Sequence, residues 1–166
     1  MTTAKTAEDA PRGSADLQRF IDRQGITAEI IPLSEHTSTV EDAARALAVD
    51  SVQIIKSLVF RIDGEPLLVI NSGPARVDRR KIAAYLGVGR KRVKFASAEE
   101  ALQFTGFVVG SMPPFGHAQK LRTLVHEEVM HLDMVYGGGG DINAMMKMSP
   151  EELLRVTEAE LADISE

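Results

Sequence analysis

Apolar residues recur along this chain at two spacings, three to four residues in some stretches and two in others, with glycine, proline and acidic turn signals between them. Leu17, Phe20 and Ile21 share a helical face that Ser14 can cap and Gly25 can stop. Thr27 to Leu33 reads as a short strand. Thr39 and Asp42 have capping-box spacing and open an Ala-rich helix with Ala43, Ala44 and Leu47 inward. Two apolar runs, Ser57 to Ile62 and Pro66 to Asn71, flank Asp63-Gly64, a hairpin signal. Asp78 caps a third helix carrying Ile82 and Leu86 and ended by Gly87. Val93 to Ala96 is a brief strand, and Ser97 with Glu100 opens a fourth helix through Phe104. Phe107 to Val109, Leu121 to Val125, Leu132 to Tyr136 and Ile142 to Met148 read as further strands. In the last, Ile142, Ala144, Met146 and Met148 alternate with polar or exposed positions. Ser149, Pro150 and Glu152 start a final helix.

Strands outnumber helices, and hairpins mix with helical crossovers, which predicts a mixed-sheet α+β domain. The 166 residues suit one domain spanning 14–166, with residues 1–13 as a flexible tail. With 44% apolar and 26% charged residues, the chain can bury a core. No apolar run approaches the roughly 20 residues of a membrane span, and the first thirteen residues hold no apolar signal core. The absence of cysteine removes disulfides, thiolate metal sites and thiol nucleophiles, and fits a cytoplasmic setting. Six Phe, two Tyr and no Trp leave few platforms for stacking bases, which disfavours an RRM-like reader.

Charge is segregated. Between Arg76 and Lys94 eight basic residues face the single acid Asp78, a local charge of +7 in a chain of net charge −5. From Pro150 to Glu166 six acids face Arg155, a local −5. The basic stretch could neutralise several phosphates, or it could be a solvated helix face.

Four stretches could carry chemistry. Lys56 stands at the mouth of the strand Ile55-Lys56-Ser57-Leu58-Val59-Phe60, where a short tether would present its ammonium to a phosphate or carbonyl. A strand-edge lysine also serves as a guard against aggregation. Thr105 to His117 holds three glycines and the pair Pro113-Pro114, a preformed wall or a structural turn. Gly137-Gly138-Gly139-Gly140 reads as a flexible hairpin connection, or as a segment closing a pocket, and is not a Walker loop. His126 and His131 are five residues apart, about 140° around a helix and on opposite faces of a strand, so no metal site is expected. Ser57, Ser72 and Ser111 lie outside any Gly-x-Ser-x-Gly elbow.

Taken in order, these stretches resemble the YbaK/ProX family, free-standing relatives of the editing domain of bacterial prolyl-tRNA synthetases. The similarity runs from Ser38-Thr39-Val40-Glu41-Asp42-Ala43-Ala44 through Ile55 to Phe60, Arg76-Val77-Asp78, Thr105-Gly106-Phe107 and Gly110 to His117. It includes Ser149-Pro150-Glu151-Glu152-Leu153-Leu154 and extends to about Ile164. The resemblance implies a single α+β domain whose mixed sheet is partly barrel-like and flanked by helices. It also implies hydrolysis of an amino acid wrongly esterified to tRNA, with tRNA for proline carrying Ala or Cys foremost. The implied catalytic residues are Lys56, Gly110 and Pro114, and the implied substrate-binding residues are Ser57, Ser111, Met112, Pro113, Phe115, Gly116, His117, Gly138 and Gly139. Arg76, Arg79, Arg80, Lys81, Arg90, Lys91 and Arg92 would meet the tRNA backbone. Mischarged tRNA is the implied partner, an aminoacyl-tRNA synthetase a second, and no cofactor is expected. The alternatives are a non-catalytic tRNA- or nucleotide-binding module and a small-molecule esterase.

Overall fold

Local signals set most of the element boundaries in the computed structural model, which describes residues 10–37 and 39–166. Ser38 and residues 1–9 of the expected tail lie outside the described residues. Arg12 and Gly13 are held: the Arg12 amide donates to Gly106 O (2.7 Å) and the Gly13 amide to the Asp16 carboxylate (2.8 Å). Gly13, rather than Ser14, is therefore the N-cap of α1 (Ser14–Gln24), and the Ser14 hydroxyl reaches Gly139 O instead.

In chain order there follow β1 (Ala28–Pro32), α2 (Val40–Leu47), β2 (Ile55–Ile62), β3 (Glu65–Ser72), α3 (Arg79–Leu86), β4 (Val93–Phe95) and α4 (Ala98–Thr105). The chain continues with β5 (Arg122–His126), β6 (Val135–Gly138), β7 (Ala144–Met148), α5 (Pro150–Thr157) and β8 (Glu160–Ala162). The predicted caps at Thr39, Asp78, Ser97 and Ser149 each accept a backbone N–H of the first helical turn. Asp63 and Gly64 both take positive φ, as a two-residue turn between right-twisted strands requires.

Five strands form one mixed sheet in the order β4-β2-β3-β5-β8, antiparallel except for the parallel pairs β3·β5 and β5·β8. Three more form an antiparallel sheet, β1-β7-β6. The sheets meet at a parallel bridge between Ile54 and Tyr136, and among the described residues no closed barrel forms. The largest core cluster joins α1 (Leu17, Ile21) to Ile55, Val59, Phe107, Phe115, Met146 and Leu153. A second lies between the larger sheet and α3, around Phe60, Val69, Ile82 and Leu124. Among the described residues no helix is long and apolar enough to cross a membrane.

Three expected strands change. Phe107 to Val109 is not a strand, because its backbone bonds locally: the Phe107 amide donates to the Thr105 hydroxyl, and the Ser111 amide to Val108 O. Leu132 to Tyr136 shifts toward the C-terminus as β6, so Gly137 and Gly138 are strand residues opposite Met146 and Met145 rather than a flexible connection. Ile142 is exposed and precedes β7. The strand β8 had no apolar signal and pairs in parallel far along the chain with β5.

Candidate active site

The β2 edge facing away from β3 is paired with β4 at Phe60–Ile62 and meets β6 at the Ile54–Tyr136 bridge, which leaves the stretch between them open. The Ile54 carbonyl accepts from Gly73 N–H on the β3 side, and Val59 O accepts from Ala96 N–H on the other. Strand alternation therefore points the Ser57 N–H and C=O to the open edge. A cleft of about 440 Å³ runs along it. Lys56, Ser57 and Val59 of β2 line it together with Val109, Gly110 and Met112 of the glycine–proline segment and with Thr37, Thr39 and Met145.

Lys56 is half-buried, and its ammonium donates to Ala75 O at 2.8 Å, which fixes the side chain and, among the described residues, leaves two N–H vectors uncommitted. Burial lowers its pKa first of all; Glu41 pulls the other way, and Arg76 lowers it further. The buried Ser57 hydroxyl has no hydrogen-bond partner among the described residues. No carboxylate or imidazole is among the described residues lining this cleft.

The glycine–proline wall is built from both ends. Gly110 takes φ +99° with open space where a Cβ would stand. Ser111 is clamped, its hydroxyl donating to Val108 O (2.8 Å) and its carbonyl accepting from Gly140 N–H (3.0 Å). Gly138 presses on the wall so closely that a Cβ there would lie 2.1 Å from Met112 O, and one on Gly139 would lie 2.7 Å from the Ala144 backbone. Gly138 thus lets β6 back the wall and also borders the cleft, whereas Gly139 lets the chain after β6 pass close to the Ala144 backbone.

The rest of the wall turns away. Pro114, Phe115, Gly116 and His117 line a separate cavity of about 290 Å³ with Phe20, Leu121 and Val156. Pro113 is buried, and its carbonyl accepts from His117 Nε2–H at 2.8 Å. The imidazole meets the Phe107 ring edge-on at 6.2 Å. Burial drives the His117 pKa down to about 4, with the Pro113 bond opposing and Arg12 assisting. The imidazole is therefore neutral at pH 7 and acts as a clip for the loop. Of the residues the resemblance marks, the fold gathers Lys56, Ser57, Gly110, Met112 and Gly138 at one cleft; Ser111, Pro113 and Gly139 stand behind it, and Pro114 to His117 face the other cavity.

The basic stretch is split by its partners. Lys81 pairs with Asp163 and also donates to Ser165 O, and Arg92 pairs with Asp63. Among the described residues no acid lies within ion-pair distance of Arg76, Arg79, Arg80, Arg90, Lys91 or Lys94. His126 accepts from the Ile164 amide at 3.3 Å, and His131 contacts Glu128, so the two histidines serve separate local contacts.

Phe95 is the feature sequence reading missed. It borders the Lys56 cleft, yet its exposure follows from β4 ending there, which no local pattern foretells.

Residues 34–156 match the family model of the aminoacyl-tRNA editing domain. The Bacillus subtilis protein YwhH, itself uncharacterized, is 28% identical over 75% of this chain and 78% of its own length. The proline–tRNA ligase of Streptococcus pyogenes serotype M1 is 33% identical over 79% of this chain, which spans 21% of the ligase. A crystal structure described as a candidate trans-editing enzyme for prolyl-tRNA synthetase superposes with a TM-score of 0.86 at 29% identity, covering 98% of this chain and 99% of that one. With the family model spanning well over half its length, the chain belongs to the aminoacyl-tRNA editing domain family.

Proposed function

We propose that this chain is a trans-editing deacylase that hydrolyses the ester between a wrong, small amino acid and the 3′ end of a tRNA, alanine or cysteine on tRNA for proline being the first substrates to try. The observation that carries this reading is that Lys56 lines the same cleft as Gly110 and Met112 of the wall. An aminoacyl ester is already activated. Water adds to the carbonyl carbon, the bond from that carbon to the ribose oxygen breaks, the ribose oxygen takes up a proton, and a free amino acid leaves. With no acid or imidazole among the described lining residues, the contribution of the protein is to position ester and water and to stabilise charge.

Lys56 suits the second task as a donor. Its bond to Ala75 O orients it, and its remaining N–H groups can meet a carbonyl or phosphate oxygen. Ser57 offers its main-chain N–H and C=O, which point to the open edge of β2. Apolar walls from Val59, Ala101, Met112 and Met145 favour a small aminoacyl side chain, a sieve by size. The cations between Arg76 and Lys94 that have no acid partner among the described residues would meet the tRNA backbone, and likeness to part of a proline–tRNA ligase makes a synthetase a reasonable second partner. A cytoplasmic location follows from this role.

The test is a panel of Ala-, Cys-, Ser- and Thr-charged tRNAs incubated with the purified chain. Release of at least one amino acid, abolished in Lys56→Ala, supports the reading; intact ester across the panel overturns it. Salt-sensitive tRNA binding without cleavage would instead favour the non-catalytic module, which the lack of an acid–base residue in the cleft also suits. Cleavage of simple esters as fast as charged tRNA would point to a general esterase.

A further inference from the structure

Phe95 ends the edge strand β4 and is 56% exposed, in a chain with only eight aromatic residues. Its ring rests against buried Phe60, centroids 4.4 Å apart and tilted by 32°. The Arg79 guanidinium lies 6.0 Å from its centroid. The ring borders two spaces at once: the Lys56 cleft, where it is the only aromatic among the described lining residues, and a polar hollow of about 220 Å³ formed with Arg79, Arg80 and Arg90. Asp78 and Glu166 also line that hollow, but the Asp78 carboxylate is committed to the Arg80 and Lys81 amides as the α3 cap. Three guanidiniums, none ion-paired among the described residues, thus stand beside an exposed aromatic residue that borders the cleft.

Leaving a phenylalanine so exposed forfeits apolar burial, and the charges beside it specify what would cover it. An apolar protein segment would desolvate three guanidiniums, whereas a nucleotide supplies a flat base for the ring and a phosphate for the arginines. We propose that Phe95 is a base-stacking platform for the unpaired nucleotide preceding the esterified one, whose phosphate sits among Arg79, Arg80 and Arg90. The inference rests on the editing reading for the identity of the strand. It assigns the cleft a direction: the aminoacyl group lies at Lys56, the RNA leaves over Phe95, and the backbone continues across the basic surface.

The experiment measures binding and cleavage separately. Phe95→Leu keeps an apolar contact with Phe60 but removes the π-face, and Phe95→Trp restores one. The probe is a short single-stranded RNA with the 3′ end of tRNA, carrying alanine through a non-hydrolysable 3′-amide. Stacking of one base contributes about 1–3 kcal/mol, so Phe95→Leu weakens the Kd roughly 5- to 150-fold and Phe95→Trp recovers it. The chain has no tryptophan of its own, so the indole emission of the Phe95→Trp variant reports directly on this position, and the RNA quenches it. A Phe95→Leu Kd within twofold of the parent, or unquenched emission on a bound complex, overturns the inference. Quenching in a protein that cleaves no charged tRNA would sink the editing reading and leave stacking standing; full cleavage with an unaltered Phe95→Leu Kd would do the reverse.

Discussion

One loop presents two faces, and they are built on opposite terms. Toward Lys56 the wall offers Gly110 and Met112, with open space at Gly110 where a side chain would stand. Toward the far cavity it offers Pro114, Phe115 and Gly116, whose Cβ would meet Leu17 Cδ1 at 2.9 Å, and a neutral imidazole bonded to Pro113. The near face looks onto a cleft where Lys56 of β2 keeps donor capacity uncommitted among the described residues, whereas the far face satisfies its polar groups and packs its apolar ones. On the proposed reading, rigidity on the far side keeps the near side open, because a wall that holds a substrate without closing on it has to be anchored from behind.

The sharpest way to separate the faces is to disable each in turn. Lys56→Ala is expected to lower kcat/KM for a mischarged tRNA by about 10²-fold or more, the scale of losing one charge-stabilising donor, while the thermal midpoint stays near that of the parent. Single-turnover deacylation with a parallel melting curve checks it. A Lys56→Ala protein that retains activity within a few-fold would merge the two faces into one structural role.

His117 is expected to give the opposite pattern, and pH reveals it. A histidine with a folded pKa of about 4 and an unfolded pKa near 6.5 binds fewer protons folded than unfolded between those values. Its stabilising contribution is complete above pH 6.5 and is lost as pH falls toward 4, about 3 kcal/mol over the full window. Urea midpoints from about pH 7 to pH 4 for the parent and His117→Gln isolate it, since carboxylates held low, such as Glu152 at about 2, titrate in both proteins. The parent curve should slope more steeply; parallel curves would show that the imidazole is not held neutral in the fold.

Gly138→Ala tests whether the wall depends on close approach from β6. A methyl 2.1 Å from Met112 O cannot be accommodated by rotating a side chain, so backbone must shift at a cost of about 1–3 kcal/mol. Because the shift moves the near face, the deacylation rate per folded molecule should fall as well. A stability loss with an unchanged rate would mean that the wall yields elsewhere.

Much of this arrangement is legible in the sequence wherever it is local. The Asp63-Gly64 turn and the caps at Thr39, Asp78, Ser97 and Ser149 are decided within a few residues, and they stand where expected. What escaped is non-local. Phe107 to Val109 has a strand's composition, but Thr105 and Ser111 take its hydrogen bonds. Gly137 and Gly138 look like a loop until Met146 and Met145 pair with them. The motif from Gly110 to His117 is continuous in sequence, yet the buried pair Pro113-Pro114 marks where it passes from one cavity to the other, and no spacing rule states which residue faces which. Charge was misleading in a similar way. The +7 stretch and the −5 tail look separate, but Lys81 finds Asp163 because the end of the chain returns along Val77.

That pairing also grades the basic surface, and Lys91 and Arg92 measure it most directly. They are neighbours in one turn, both exposed; Arg92 is engaged by Asp63, while no acid among the described residues pairs with Lys91. Removing either costs one positive charge, so long-range attraction to RNA falls equally for both. The salt dependence of binding counts something narrower, the cations that directly replace counterions on phosphates. Lys91→Gln should therefore flatten the plot of log Kd against log salt by about one unit, and Arg92→Gln by much less, because Arg92 must first leave Asp63 to reach a phosphate. Titrations of tRNA at several salt concentrations distinguish them. Equal slopes for the two variants would mean that the Asp63 pair opens on binding, and that partners in the free protein do not decide which cations the RNA uses.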